Sequence, residues 1–344
     1  MKQKKSIPTI SDVADFAGVS QRTVSRVINN SDKVNERTRS KVQQIIQELN
    51  YTPNSRARGL RTRSSYLIGL IYDVPTLHIN DVQKGILSVC VHAGYDIVVH
   101  PCEFGSANLV KDVQAFIMRS KVDGVIMLPP VSEIPEVTEA LDDIGVPHVH
   151  FASELSTEPW RLVVTNYGPA VSDMTNHLVS LGHTRIGFIS GPKDSTPSRK
   201  RQQAFVDALH RHGLDLPSSL VVEGAFTYES GVNAAHQLLT VKNRPTAVFA
   251  ANDEMAFGVM NVANELGIKV PDDLSVVGFD GTNFATFVIP SLSTIRRPSG
   301  NMARLGAQKL LALINDGPDA ARAFEVMVSP QFVPRESTGP APGD

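Results

Sequence analysis

From Leu67 to Asp280 the chain alternates short apolar runs with stretches of helical spacing, and that alternation leaves few folds open. Leu67-Ile-Gly-Leu-Ile-Tyr is continuous and apolar, as a strand buried on both faces must be. Residues 81–92 follow with Val82, Ile86, Val89 and Cys90 at inward helical spacings. Strand-like runs recur at 95–99, 122–128, 146–151, 162–164, 185–190, 220–223, 247–250 and 274–280. Helical stretches at 107–119, 169–181, 199–211, 228–239 and 254–266 lie among them. This is the pattern of parallel, doubly wound sheets with right-handed crossovers. So many βα units would overfill one sheet, so two α/β lobes are expected. A ligand would then sit between them, outside the carboxyl ends of the strands.

Residues 9–60 follow another period. Thr9 and Asp12 form a helix start, with Ile10, Val13, Ala14 and Ala17 at helical spacing behind it. Gly18 interrupts and Ser20 is a second N-cap, so a short turn joins two helices. On the second, Val24, Val27 and Ile28 share one face, while Arg22, Ser25 and Arg26, with Gln21 beside them, share another. That is the division a helix-turn-helix needs: one face packs and the other offers donors to base edges. A third helix from about Asn35 carries Val42, Ile45, Ile46 and Leu49 as its core stripe. Charge separates this from an ordinary solvated helix pair. Residues 1–63 hold 13 Lys and Arg against 5 Asp and Glu, a net of +8 in a chain whose total is −2. A basic head on an acidic body is an electrostatic footprint for nucleic acid.

Asp12-Val-Ala, Ala17-Gly-Val-Ser, Thr23-Val-Ser-Arg-Val, Leu49-Asn-Tyr-x-Pro-Asn and Ala57-x-x-Leu60 together resemble the LacI (lactose/galactose repressor) family of bacterial transcription regulators. The resemblance runs across almost the whole chain. It implies that Gln21, Arg22 and Arg26 stand where bases are read, and Thr23 and Ser25 where phosphates are held. It implies a hinge helix with Asn54, Ala57, Arg58 and Leu60 in the minor groove, Leu60 acting as a wedge between base steps. Gly59 departs from that picture, since glycine weakens a helix by ~1 kcal/mol relative to alanine. Read without the family, residues 53–63 fit a flexible basic linker equally well.

The implied organisation is a helix-turn-helix headpiece at 1–52 and a hinge at 53–65. A two-lobed periplasmic-binding-protein-like sensor follows, with a first lobe of 66–163 and 297–318 and a second of 164–296 and 319–337. The chain would cross between lobes near Val164, Arg296 and Ala320, with the helix at 302–314 returning to the first lobe. Residues 335–344, rich in Gly, Pro and charge, read as a frayed tail, 338–344 lying outside both lobes.

Polar residues at strand ends and helix starts are the cleft candidates: Asp73, Arg199, Arg201, Asn252, Asp253 and Asp280, with Phe226 to cover an apolar sugar face. The resemblance supports Asp73, Arg201, Asn252, Asp280 and Phe226 and implies His78, Asn166 and Ser195 as well. Glu154 is added on the resemblance alone. Each has a plainer role open to it. Asp280 could cap the next segment, Asn252 could be a turn residue and Phe226 ordinary core, while Arg199 reads as a salt-bridging group. His148 and His150 are expected to straddle the two faces of their strand rather than bind metal. Cys90 and Cys102 lack ligand spacing and read as inert buried thiols.

No G-x-G-x-x-G, P-loop, G-x-S-x-G or H-E-x-x-H occurs, so no catalytic residues, cofactor or metal are expected. The start, Met-Lys-Gln-Lys-Lys, has no apolar run behind it and nothing approaches a membrane span, so a cytoplasmic, nucleoid-associated protein is expected. The expectation is a transcription regulator, a repressor of carbohydrate-utilisation genes. It would bind a pseudo-palindromic double-stranded DNA operator as a homodimer, since no tetramer-forming heptad tail follows Val333, and hold a small effector, a saccharide, between its lobes. The alternatives are a non-sugar effector such as a purine, or a doubly wound enzyme with a fused DNA-binding domain.

Overall fold

The structure is a computed structural model of the chain and describes residues 8–28, 31–49, 51, 64–73, 75–152, 158–324 and 327–343. The chain divides into two compact units, Met1–Tyr66 and Leu67–Asp344.

In the first unit, helix α1 (Ile10–Ala17) opens on a reciprocal cap. The Asp12 N–H donates to Thr9 Oγ1 at 3.4 Å and the Thr9 N–H to Asp12 Oδ2 at 2.6 Å. Gly18 ends it at φ 63°, a left-handed position where a side chain would be strained. Helix α2 (Gln21–Ile28) opens with the Thr23 N–H donating to Ser20 Oγ at 3.1 Å. Helix α3 (Glu36–Glu48) is capped by Asn35, whose Oδ1 accepts from the Thr38 N–H at 2.8 Å. Val13, Ala14, Ala17, Val24, Val27 and Val42 meet in one core, closed by Tyr51, with Ile45, Ile46 and Leu49 half-buried against it.

The second unit begins with β1 (Leu67–Tyr72), α4 (Ile79–Cys90), β2 (Asp96–Pro101), α5 (Leu109–Ser120), β3 (Gly124–Met127), α6 (Pro135–Ile144), β4 (His148–Ala152) and β5 (Leu162–Thr165). It continues with α7 (Gly168–Ser180), β6 (Ile186–Ser190), α8 (Thr196–Arg211), β7 (Val221–Glu223), α9 (Tyr228–Leu239), β8 (Ala247–Ala250), α10 (Asp253–Glu265), β9 (Ser275–Asp280) and β10 (Ser293–Arg296). Then come α11 (Ser299–Asp316), α12 (Pro318–Arg322), β11 (Met327–Val328) and β12 (Gln331–Val333).

One sheet runs β11-β5-β4-β3-β1-β2, the other β12-β10-β9-β8-β6-β7. All described pairs are parallel except β10–β12. Two lobes, each with its own sheet, are what the alternating pattern predicted. In each sheet the strand order reverses beside the first strand, between β1 and β3 and between β6 and β8. A reversal point of this kind leaves a crevice at the strands' carboxyl ends.

Several boundaries differ from the sequence reading. β11 pairs with β5 in the first sheet and β12 with β10 in the second, so the third crossing lies between Val328 and Gln331, not near Ala320. Helix α6 and strands β10, β11 and β12 had no counterpart in that reading. His148 and His150 do not straddle their strand. Two residues apart, they share a face, and their rings stack at 4.8 Å.

The C-terminal stretch is not frayed. Ser337 is fully buried, donates its hydroxyl to Val276 O at 2.6 Å, and its carbonyl accepts from the Val276 N–H at 2.8 Å. The Ala341 N–H donates to Leu181 O at 2.8 Å, and Gly339 O accepts from His183 Nε2 at 3.1 Å. Ending the chain after Val333 strips these partners from buried groups. It is expected to cost the sensor about 2 kcal/mol, lowering its melting temperature by about 4–8 °C. An unchanged melting temperature would mean that the docked tail adds no stability.

Candidate functional site

The cleft between the sheets is lined from the first lobe by Tyr72 at the end of β1 and Asp73 after it, Thr76 and His78 before α4, Leu128 and Pro129 after β3, and Phe151 on β4. The second lobe contributes Ser195, Arg201, Phe226, Asn252 and Asp280; Arg297 and Ser299 come from the crossing into α11. It encloses about 760 Å³, its solvent-open mouth included. Strand carboxyl ends and helix starts supply most of the polar groups, as the topology requires.

Asp280 ends β9 at φ 108°, and Gly281 follows at 66°. At Asp280, a residue with a side chain, such backbone costs about 1–3 kcal/mol and survives only where the surroundings hold it. The holder is Asp253, at the start of α10. Its Oδ2 accepts from the Thr282 N–H at 2.7 Å and hydroxyl at 3.0 Å, and its Oδ1 from the Thr294 hydroxyl at 2.6 Å. The Asp280 carboxylate meets Arg297 Nη2 at 3.1 Å and faces His78 Nδ1 at 3.9 Å. Asp280 therefore points into the cleft, not onto the following backbone as a cap would.

His78 is kept neutral. Burial, reinforced by the Arg297 charge, pushes it down to about 3, and its Nδ1 lies 2.7 Å from the Thr76 hydroxyl. Asp73 is pushed up from the ordinary carboxylate value by burial, against the Phe104 N–H that donates to its Oδ1 at 3.1 Å. The Leu77 N–H donates to Glu254 Oε1 at 2.9 Å, a direct bond from the first lobe to the second.

Asn252 lines the cleft and caps a helix at once. Its Oδ1 accepts from the Met255 N–H at 2.9 Å, capping α10, and one amide hydrogen goes to Phe226 O at 2.7 Å, which leaves its second N–H for a ligand. Phe226 sits at φ 62°, its ring against Gly191, where any Cβ would collide with it at 2.0 Å. Arg199 binds its own loop, donating to Lys193 O, Asp194 O and Thr196 Oγ1, and does not line the cleft. Asn166 does not line it either. It lies just past β5, its N–H donating to Val328 O at 3.0 Å, and borders a separate hollow with Tyr167, Lys200 and Arg211. Glu154, and Asn54, Ala57, Arg58 and Leu60 of the hinge, fall outside the described residues. The sequence reading missed Arg297, Ser299 and Thr76; the Arg296-Arg297 pair beside an expected crossing was the available signal.

In the headpiece, Gln21 and Arg22 are exposed on α2, and Thr23, Ser25 and Arg26 are half-buried. The Thr23 hydroxyl lies 2.9 Å from that of Ser20, and Gln21 donates to Ser11 Oγ at 3.2 Å. Cys90 and Cys102 are buried free thiols, pushed up by burial to about 11 and about 12.

Two parallel-sheet lobes around a polar cleft, preceded in the chain by a capped three-helix unit with a basic second helix, define a class: small-molecule sensors joined to a helix-turn-helix. The chain belongs to the LacI family. Residues 9–54 match the bacterial regulatory proteins of the lacI family, and residues 175–338 match the periplasmic binding protein-like domain. The probable HTH-type transcriptional repressor ExuR of Bacillus subtilis (strain 168) is 31% identical, over 96% of this chain and 98% of that protein. The Lac repressor dimer bound to operator and the anti-inducer ONPF superimposes with a TM-score of 0.78 at 29% identity, covering 97% of this chain and 100% of that one. The transcriptional regulator CelR–cellobiose complex gives 0.70 at 29%, covering 96% and 99%. This chain is thus a DNA-binding transcription regulator with an effector-binding domain, and its relatives are repressors, not enzymes. Among the described residues, no helix is long and apolar enough to cross a membrane.

Proposed function

We propose that this protein is a homodimeric, cytoplasmic repressor of carbohydrate-utilisation genes, with a saccharide bound between the sensor lobes as its effector. The observation that carries the reading is the cleft, in which Asp280, held in a strained conformation, faces Arg297 and His78 beside Arg201 and the Phe226 ring. Carboxylates and guanidinium groups answer sugar hydroxyls in pairs, and an aromatic ring covers an apolar sugar face. The cellobiose complex of a similar protein supports it. Exposed Phe284, Phe287 and Ile289, the last 96% exposed, form an apolar patch on the loop after β9 and favour a second copy as partner. The Lac repressor dimer on its operator supports a two-fold site.

On this reading Gln21, Arg22 and Arg26 read bases, Thr23 and Ser25 hold phosphates, and the segment with Asn54, Ala57, Arg58 and Leu60 enters the minor groove. The effector favours one lobe arrangement over another, acting on contacts such as Leu77–Glu254 that span the lobes. The coupling to DNA is reciprocal and typically ~1–3 kcal/mol.

The test is operator binding by fluorescence anisotropy on inverted-repeat DNA, with and without a sugar that stabilises the protein thermally. A sugar at ~100 times its dissociation constant should add ~2.7 kcal/mol of stability. Leu60→Ala is expected to weaken operator binding strongly and leave sugar binding intact; equal losses in both would sink the hinge assignment. Exchanging Arg22 should change the preferred base by about 1–3 kcal/mol. Operator affinity indifferent to every sugar that binds would remove the regulatory link.

A further inference from the structure

Several buried donors lining the cleft have no hydrogen-bond partner. Arg201 is 4% exposed; one Nη donates to Ala251 O, while its Nε has no hydrogen-bond partner. Its guanidinium lies 3.9 Å from the Phe279 ring centre, with the rings of Tyr167 and Phe226 at 5.2 and 5.7 Å. The buried Asp280 carboxylate forms an ion pair with Arg297 at 3.1 Å and also favours the Arg201 charge, as a hydrogen bond with Tyr167 does; the Asp280 Oδ1 has no hydrogen-bond partner. Arg297 also leaves its Nε without a partner, and so do the buried hydroxyls of Ser195 and Ser299. All four residues line the one cleft.

The two serines mark helix starts. Ser195 precedes α8, of 16 residues, and makes no capping hydrogen bond; Ser299 is the first residue of α11, of 18 residues. Each N-terminus brings about half a positive charge to the cleft wall. Asp280 and the half-buried Asp73 match the two guanidinium groups in number, so the positive excess comes from the two helix ends, and His78 adds no charge. Buried unpaired polar groups are costly, and buried cations more so. A planar guanidinium fork is suited to carboxylate and phosphate oxygens.

We propose that the effector is acidic: a polyhydroxylated compound bearing a carboxylate or phosphate group, its anionic oxygens held by Arg201, Arg297, Ser195 and Ser299. This rests on the reading of the cleft as the effector site and narrows it to one chemical class. Asp280 then orients Arg297 and, with Asp73, accepts from hydroxyls on the rest of the ligand.

The experiment uses the full chain in a buffer free of phosphate and sulfate. Thermal shift and calorimetry compare glucose with glucuronate and glucose 6-phosphate, and galactose with galacturonate and galactose 6-phosphate. The expected result is that an acidic member binds at least tenfold more tightly than its neutral parent. The uronate and phosphate arms tell which anion is preferred. Arg297→Gln should erase that margin and Arg297→Lys should keep part of it, which separates charge recognition from a folding defect. A neutral sugar bound as tightly as its acid, with binding lost in Asp280→Ala, overturns the acidic class and leaves the sensor reading standing. No binding by any of the six overturns the acidic proposal within these sugars. If the melting temperature also stays fixed across wider metabolite sets, the effector reading falls with it.

Discussion

Asp253→Ala is expected to lower the stability of the sensor by about 3–5 kcal/mol and to weaken effector binding with it. Asp253 is 1% exposed and ties the start of α10 both to the turn after β9 and to β10. It fits only because Gly278 on β9 has no side chain; a Cβ there would lie 2.5 Å from Asp253 Oδ1. Alanine leaves the Thr282 N–H and the hydroxyls of Thr282 and Thr294 without their acceptor inside the protein. Each such loss costs about 1–3 kcal/mol when no water can enter. The same change frees the strained Asp280-Gly281 turn, so the carboxylate opposite Arg297 loses its fixed position.

The effect should depend on pH in a defined direction. Burial, with the Asp280 charge adding to it, pushes the Asp253 carboxyl up from 3.8 to about 7, although Thr294 and Thr282 donate to it. Between about pH 4 and 7 the native protein therefore holds a proton that the unfolded chain releases, and this group's contribution to stability falls as pH rises. Above 7 it is constant. A shift of about three units corresponds to about 4 kcal/mol as a ceiling. Buried His78 and His150, pushed down to about 3, act oppositely: they destabilise the fold as pH falls below 6.5. Both proteins share them, so they drop out of the difference. Urea unfolding of wild type and Asp253→Ala between pH 5 and 8 should show the largest gap at pH 5. A gap that is flat with pH, or below 1 kcal/mol throughout, would remove Asp253 as the keystone of the turn.

What the sequence disclosed and what it withheld follow from the range of the interactions involved. The caps at Thr9 and Ser20, the Val24–Val27 face and the apolar strands were legible because each is set by residues within four positions. The candidates Asp73, Arg201 and Asp280 were legible because a parallel sheet sends its strand ends and the helix starts that follow them to one rim, whereas Ser195 came from the resemblance. Asn166 failed at this point, since it follows an edge-side strand at a crossing, away from the reversal point. Arg297 depends on a partner 17 residues earlier in sequence and on the crossing that brings it back, which no local pattern encodes. The tail was misread because Gly and Pro report flexibility only where nothing packs on them. Ser337 is held by Val276 and Ser293, more than 40 residues away.

Gly231→Ala and Gly258→Ala, which touch no cleft residue directly, should also destabilise the sensor and loosen its cleft. Helices α9 and α10 approach so closely that a Cβ on Gly258 would lie 2.6 Å from Val232 N and 2.7 Å from Tyr228 O. One on Gly231 would lie 2.5 Å from the Met255 Cα and O. Those obstacles are backbone, which cannot swing aside as a side chain would, so the helices must separate. Alanine gains ~1 kcal/mol in helix propensity, but overpacking a tight core costs about 1–3 kcal/mol and sometimes more. With backbone as the obstacle the cost lies at the top of that range, so a net loss of about 2 kcal/mol is expected for each. Once the helices part for one methyl, the second meets less resistance, so the double variant should lose at least 1 kcal/mol less than the sum. Gly300→Ala is the contrast: its Cβ would meet only Asp81 O at 3.5 Å, an ordinary contact, and stability should hold within about 0.5 kcal/mol. The separation also reaches the cleft. Phe226 lies two residues before α9, and its carbonyl accepts from Asn252, which caps α10, so moving the two helices apart loosens that bond and the ring with it. Effector affinity should therefore fall in both variants and not in Gly300→Ala. Neutral single variants, or fully additive losses, would mean that this helix contact is not the rigid joint on which Phe226 and Asn252 depend.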